Sequence, residues 1–191
     1  DSSSSRGLGD VYKRQNTCDY NQTKAATIEI AKHFGPVYLR FGRPKVPNFT
    51  PEKQNFKIGK GVKLINGNDV TIVSTGHLVW QSIIAANELS NQGIKADVIN
   101  IHTIKPLDKQ IILDSISKTN CIVSCEEHNI IGGLGESVSR LIVKNILCPM
   151  EFVGVNDTFG ESGKPEDLMK KYKLDSENII EKCKKVISRK K

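Results

Sequence analysis

Arg40 and Arg43 bracket Gly42 at the end of the apolar run "GPVYLR" and precede a tail punctuated by Pro44, Pro47 and Pro51. A guanidinium is a planar fork of donors that fits a phosphate bidentately, so the pair could receive an anionic ligand; interdomain salt bridges would use the same residues. Farther along, Glu126, Glu127 and His128 stand just before the glycine loop "GGLGES", Gly132 to Ser137. Carboxylates beside an imidazole could run acid–base chemistry, but neighbours at a strand end point to different sides and cannot all reach one atom. Structural roles are favoured, with one glutamate bonding free amides of the loop. The loop departs from a full G-x-G-x-x-G, so close packing of a helix on a sheet is favoured over anion binding. His77 after "STG" and His102 in "NIHTIKPLD" also occupy strand ends. No nucleophile motif accompanies them, and both read as loop histidines.

These residues need elements to hold them. From Asp69 on, strands alternate with helices of 10–15 residues: "DVTIVST", "HLVWQSIIAANELSNQ", "KADVINIHTI", "LDKQIILDSISK", "CIVSCE", "GESVSRLIVKN", "MEFVGV", then short helices from Pro165 and Ser176. That alternation predicts right-handed βαβ units: an α/β fold in three layers, a largely parallel sheet with helices on both faces. In the first of these helices Val79, Ile83 and Ala86, with Trp80, Ile84 and Asn87 beside them, predict the buried stripe. Asp108 is expected to cap the helix after Pro106. Upstream, Ala25, Ile28 and Ala31 predict a helix over 21–33 and a strand follows over 36–41. One helix and one strand cannot close a domain, so residues 19–48 read as the end of a second α/β domain. The prolines make 49–66 a linker, and 67–191 is the main domain. The serine-rich start, 1–18, offers nothing to a core and reads as a flexible, non-native leader.

The net charge of +7 is concentrated at the C-terminus, where 181–191 carries six basic residues and one acidic, a balance of +5. A basic helix end suits the helix dipole, and with few aromatics the chain is not read as a nucleic-acid binder. Five cysteines without framework spacing point to a reducing compartment. Cys121 and Cys125 read as buried thiols on a strand and not as zinc ligands. No apolar run reaches the roughly 20 residues of a membrane span, so a cytoplasmic protein is expected.

The segments "GPVYLRFGRPKVPNFTP", "DVTIVSTGHLVWQSIIAANEL", "INIHTIKPLD", "EEHNIIGGLGESV" and "GVNDTFGESGKPEDLMKKYKL" together resemble the C-terminal part of transketolases, above all the split form in which it is a separate subunit. The resemblance implies a thiamine diphosphate enzyme, with Mg2+ holding the diphosphate, that moves a two-carbon ketol unit between sugar phosphates. It implies a homodimer or an N-terminal transketolase subunit as partner, and a third domain that mainly supports the dimer. The family's catalytic and cofactor residues would lie upstream of Asp19, so no catalytic, cofactor or metal residue is assigned and this chain alone should be inactive. Arg43, four residues before Pro47, matches the arginine that grips the sugar phosphate. The K-P-L-D and E-x-H…G-G-x-G pieces also resemble deoxyxylulose-phosphate synthase and the β component of 2-oxoacid dehydrogenases. A non-catalytic dimerisation module is the remaining alternative.

Overall fold

The structure, a computed structural model, describes residues 12–42 and 45–190. Its elements begin with β1 (Lys13–Asn16), α1 (Tyr20–Ala31), β2 (Val37–Arg40), β3 (Val62–Ile65), β4 (Val70–Ser74), α2 (Leu78–Asn91), β5 (Ala96–Asn100) and β6 (Thr103–Lys105). They continue with α3 (Lys109–Thr119), β7 (Ile122–Asn129), α4 (Leu134–Asn145), β8 (Met150–Val155), α5 (Pro165–Lys171) and α6 (Ser176–Ser188).

Successive strand residues face opposite sides of a sheet, and here both sides are apolar. Ile72, Val98, Val123 and Cys125 turn to one layer, where they meet Leu78, Ala85 and Leu89 of α2 and Ile179, Cys183 and Val186 of α6. Val73, Ile99 and Ile122 turn to the other, against Ile112 and Ile116 of α3 and Leu134, Val138 and Leu141 of α4. The strands run in the order β3-β5-β4-β7-β8. All neighbours are parallel except β3, which pairs antiparallel with β5 at the edge. The three-layer α/β architecture expected from the alternation is the one observed.

Several local expectations change. On α2 the buried positions are Leu78, Val79, Ser82, Ala85, Ala86 and Leu89, while Ile84 and Asn87 are exposed. The stripe is rotated because Leu78 itself, at the start of the helix, is drawn wholly into the core. On α1 the buried residues are Gln22 and Ala26, and Ile28 is 53% exposed. Gln22 is buried because it is used: its Oε1 accepts from Cys18 N and from Asn100 Nδ2 of β5. Asp108 occupies the cap position of α3, yet its carboxylate accepts from Gly61 N at 3.0 Å and bonds no amide of the helix.

Two stretches expected to be irregular carry strands. Lys13–Asn16, read with the leader, forms β1, which pairs parallel with β2 and antiparallel with β6. The physical reason is a demand for backbone partners on both sides, which the polar side chains do not announce. Val62–Ile65, read as linker, is the edge strand β3. The linker is also fixed at its start. Asp19 caps α1 by accepting from Gln22 N, and the same buried carboxylate accepts from Phe49 N, Thr50 N and Thr50 Oγ1 at 2.7–3.0 Å.

Candidate site at the carboxyl ends of the central strands

In an open α/β sheet, function gathers outside the carboxyl ends of the strands where successive crossovers leave in opposite directions. That point lies between β4, whose chain proceeds to β5 on one side, and β7, whose chain proceeds to β8 on the other. Two loops meet there. Beyond β4 come Thr75, Gly76 and His77; Gly76 has a φ of +59°, and a side chain on it would run into Asn16 of β1. At the end of β7 stand Glu126, Glu127 and His128.

The three β7 residues part company, as alternating directions require. Glu126 turns into the body, where Oε2 accepts from Leu134 N at 2.7 Å and Oε1 from Gly135 N at 2.8 Å. It thereby seats a carboxylate on the N-terminus of α4, satisfying two of that helix's free donors. Burial raises its proton affinity, and the two amides only partly offset that. A methyl on Gly133 would strike this carboxylate and one on Gly135 would meet the ring of Phe152. The glycines serve packing, and the glutamate does bond the loop amides.

Glu127 turns the other way and meets the imidazole of His77, Nδ1 to Oε2 at 3.1 Å. Burial alone would raise its pKa, but the His77 hydrogen bond and charge and the Arg40 charge outweigh it and hold the carboxyl below its usual range. Arg40, the last residue of β2, donates from Nη2 to the Glu127 carbonyl at 2.9 Å. Gly42 lies against the far side of the same imidazole, so closely that a methyl there would overlap Nε2. Gly42, His77, Phe41, Lys45, Thr17 and Asp19 share the wall of a cleft of about 540 Å³. The strand-end turn "RFG" is thus docked on the switch point of the main sheet.

The remaining sequence candidates are accounted for by structure. His128 has Nδ1 within 2.7 Å of the Asn129 carbonyl, and His102 packs on Phe56 with Nδ1 3.1 Å from Thr103 Oγ1. Burial pulls His102 down to about 4, with the Asp108 charge opposing, so it is neutral at neutral pH. Burial likewise pushes the thiols up, Cys121 to about 11 and Cys125 to about 12. Among the described residues no group of three or more His, Cys, Asp or Glu side chains is arranged to hold a metal ion.

Two contacts at the site had no local sequence signal, the Arg40 to Glu127 bond across 87 positions and the seating of Gly42 on His77. The Asp19 clamp had half of one: an aspartate directly before a helix suggests a cap, but nothing in the sequence assigns its second oxygen to Phe49 and Thr50.

The family model for "Transketolase, C-terminal domain" matches residues 59–179. The chain belongs to the transketolase C-terminal domain family. Among solved structures, a split gene transketolase described as an inactive β4 tetramer superposes with a TM-score of 0.91 at 36% identity, over 94% of this chain and 59% of that one. A 6-deoxy-6-sulfo-D-fructose transketolase subunit, SqwH, from Clostridium sp. (strain MSTE9) is 40% identical over 90% of this chain and 53% of its own length. A 1-deoxy-D-xylulose-5-phosphate synthase from Caldanaerobacter subterraneus subsp. tengcongensis is 36% identical over 76% of this chain and 24% of its own length. The chain therefore spans about half the length of the transketolase relatives.

Among the described residues the glycine loop at the start of α4 is the place where free backbone amides could cradle a diphosphate. The residues do not fit it. Glu126 already takes the Leu134 and Gly135 amides, so a phosphate brought there would find those donors used and a carboxyl group in its place. Arg43 lies outside the described residues; the structure defines the turn up to Gly42, the residue before it in the chain.

Proposed function

We propose that this chain is the C-terminal part of a thiamine diphosphate transketolase, which moves a two-carbon ketol unit from a ketose phosphate to an aldose phosphate in the cytoplasm. Residues 13–48, with β1 added to the expected 19–48, close the pyrimidine-binding domain, 49–61 cross over, and the third domain begins at the edge strand β3, Val62–Ile65. The cofactor and Mg2+ bind in the other part of the enzyme, where the cofactor supplies the carbanion for ketol transfer. Arg43 grips the sugar's terminal phosphate. The partner is an N-terminal transketolase subunit or, in a single-chain enzyme, a second copy.

One observation carries this reading: the close superposition on a split gene transketolase across nearly the whole chain. That relative is inactive as a tetramer of one subunit type, which accords with a chain that supplies orientation without the cofactor site. No helix among the described residues is long and apolar enough to cross a membrane.

The test is reconstitution. The purified chain, given thiamine diphosphate and Mg2+, should transfer no ketol unit alone and should do so once its N-terminal counterpart is added. Transfer by the chain alone would overturn the division of labour. A reconstituted enzyme that instead condenses pyruvate with glyceraldehyde phosphate would assign the chain to the synthase.

A further inference from the structure

Besides the Thr17 N–H bond to the Arg40 carbonyl at 3.2 Å within the first sheet, the described contacts that hold the turn before Arg43 come from the main sheet's switch point. Glu127 supplies the anchor: its carbonyl accepts from Arg40 at 2.9 Å and its carboxylate meets His77 Nδ1 at 3.1 Å. The carboxylate fixes the ring plane and the tautomer, because a proton on Nδ1 is the one it accepts. The ring so held presents its Nε2 edge to Gly42, where there is no room for a methyl. His77 is also 9% exposed, so the ring cannot swing aside into solvent. At the start of the crossing, Phe49 and Thr50 are tied independently by Asp19.

We infer that His77, oriented by Glu127, is a positioning residue for the substrate's anionic end: its imidazole sets the Gly42 turn from which the phosphate-gripping arginine departs. The inference rests on the reading of Arg43 given above and adds to it. The main domain has a direct part in recognising a phosphorylated sugar, beyond supporting a dimer. The glycine is required there because only a residue without a side chain lets the backbone lie on the ring.

A positioning role differs from a merely structural one in what it disturbs. Loss of folded enzyme lowers transfer from every ketose alike. A displaced grip lowers the preference for a phosphorylated ketose over the same ketose without phosphate. The quantity to measure, on the reconstituted enzyme, is therefore the ratio of kcat/KM for the two, which does not depend on the folded fraction.

His77→Ala should reduce that ratio about 10- to 100-fold, the scale expected for an ångström-sized misplacement of a binding group. The loss should lie mainly in KM. Glu127→Gln keeps an acceptor for Nδ1–H and should retain most of the ratio. Gly42→Ala should reduce it, and adding His77→Ala to Gly42→Ala should cost little more, because the overlap disappears with the ring. His77→Gln, which retains a polar side chain, replaces His77→Ala if the latter fails to assemble.

Arg43→Ala is measured in parallel. If it collapses the ratio and His77→Ala does not, the inference falls and the reading of Arg43 stands. If Arg43→Ala leaves the ratio intact, the grip is elsewhere, and the positioning role falls with it whatever His77→Ala does. A collapse in both, with additive losses for Gly42→Ala and His77→Ala, would also overturn it.

Discussion

Asp97 offers the sharpest test of how the main domain is held together. Its carboxylate is fully buried on β5 and accepts from Lys63 Nζ at 3.0 Å, Lys118 Nζ at 3.1 Å, Gly67 N at 3.1 Å and Ser115 Oγ. It therefore ties the edge strand, the turn at Gly67 and α3 to one point. In Asp97→Asn the volume is kept, but the charge goes and an amide N–H₂ must face at least one donor. Removing one partner of a buried ion pair costs about 3–5 kcal/mol. The side chains of Lys63 and Lys118 are 29% and 34% exposed, so each stranded ammonium regains water and the lower end applies. About 3 kcal/mol, at 2–4 °C per kcal/mol for a domain of this size, is a fall in Tm of about 6–12 °C. The assay is thermal unfolding by circular dichroism at neutral pH.

The pH dependence follows from the same contacts. Burial would raise the pKa of Asp97, but the Ser115, Lys63, Gly67 and Lys118 hydrogen bonds together bring it below its ordinary 3.8. The folded state thus binds this proton less readily than the unfolded chain. The stabilisation is complete above the ordinary carboxylate pKa and is lost as pH falls through the folded value. The gap in Tm between wild type and Asp97→Asn should narrow on acidification below about pH 4. A neutral-pH difference under about 2 °C, or a gap that widens in acid, would refute the account.

Gly133→Ala should cost about 2–4 kcal/mol, because the new methyl displaces Glu126 and leaves two buried amides of α4 short of an acceptor; chemical denaturation reads it, and an unchanged midpoint would remove Glu126 as the cap. The thiols of Cys18, Cys121, Cys125 and Cys183 are buried and their proton affinities raised, so a thiol reagent at neutral pH should label half-buried Cys148 first and the others only on unfolding. Rapid labelling of Cys125 in the folded protein would contradict its placement in the core.

What the sequence made legible follows from how local each cause is. The four parallel strands of the main sheet could be read because they are largely apolar runs between helices bounded by turn residues, signals that are local in sequence; the edge strand β3 could not. That one glutamate bonds the loop amides could be read because an acid at a strand end and a glycine loop that opens a helix are only eight positions apart; that it is Glu126 and not Glu127 the structure decides. β1 could not, since its "KRQN" side chains say nothing of a strand held by backbone bonds to 37–40 and 103–105. Ile28, one of the apolar positions that predicted α1, is exposed, while the polar Gln22 is buried because its side-chain carbonyl accepts from Cys18 N and Asn100 Nδ2. The pairing of His77 with Glu127 spans fifty positions and depends on the strand order, which no local pattern encodes.

Asp19 shares one carboxylate between the start of α1 and the backbone at Phe49 and Thr50. The crossing is on that account anchored where it leaves α1's unit, at Phe49 and Thr50. The chain on either side of Arg43 is thus pinned twice, at Gly42 against His77 and at Phe49 and Thr50 against Asp19.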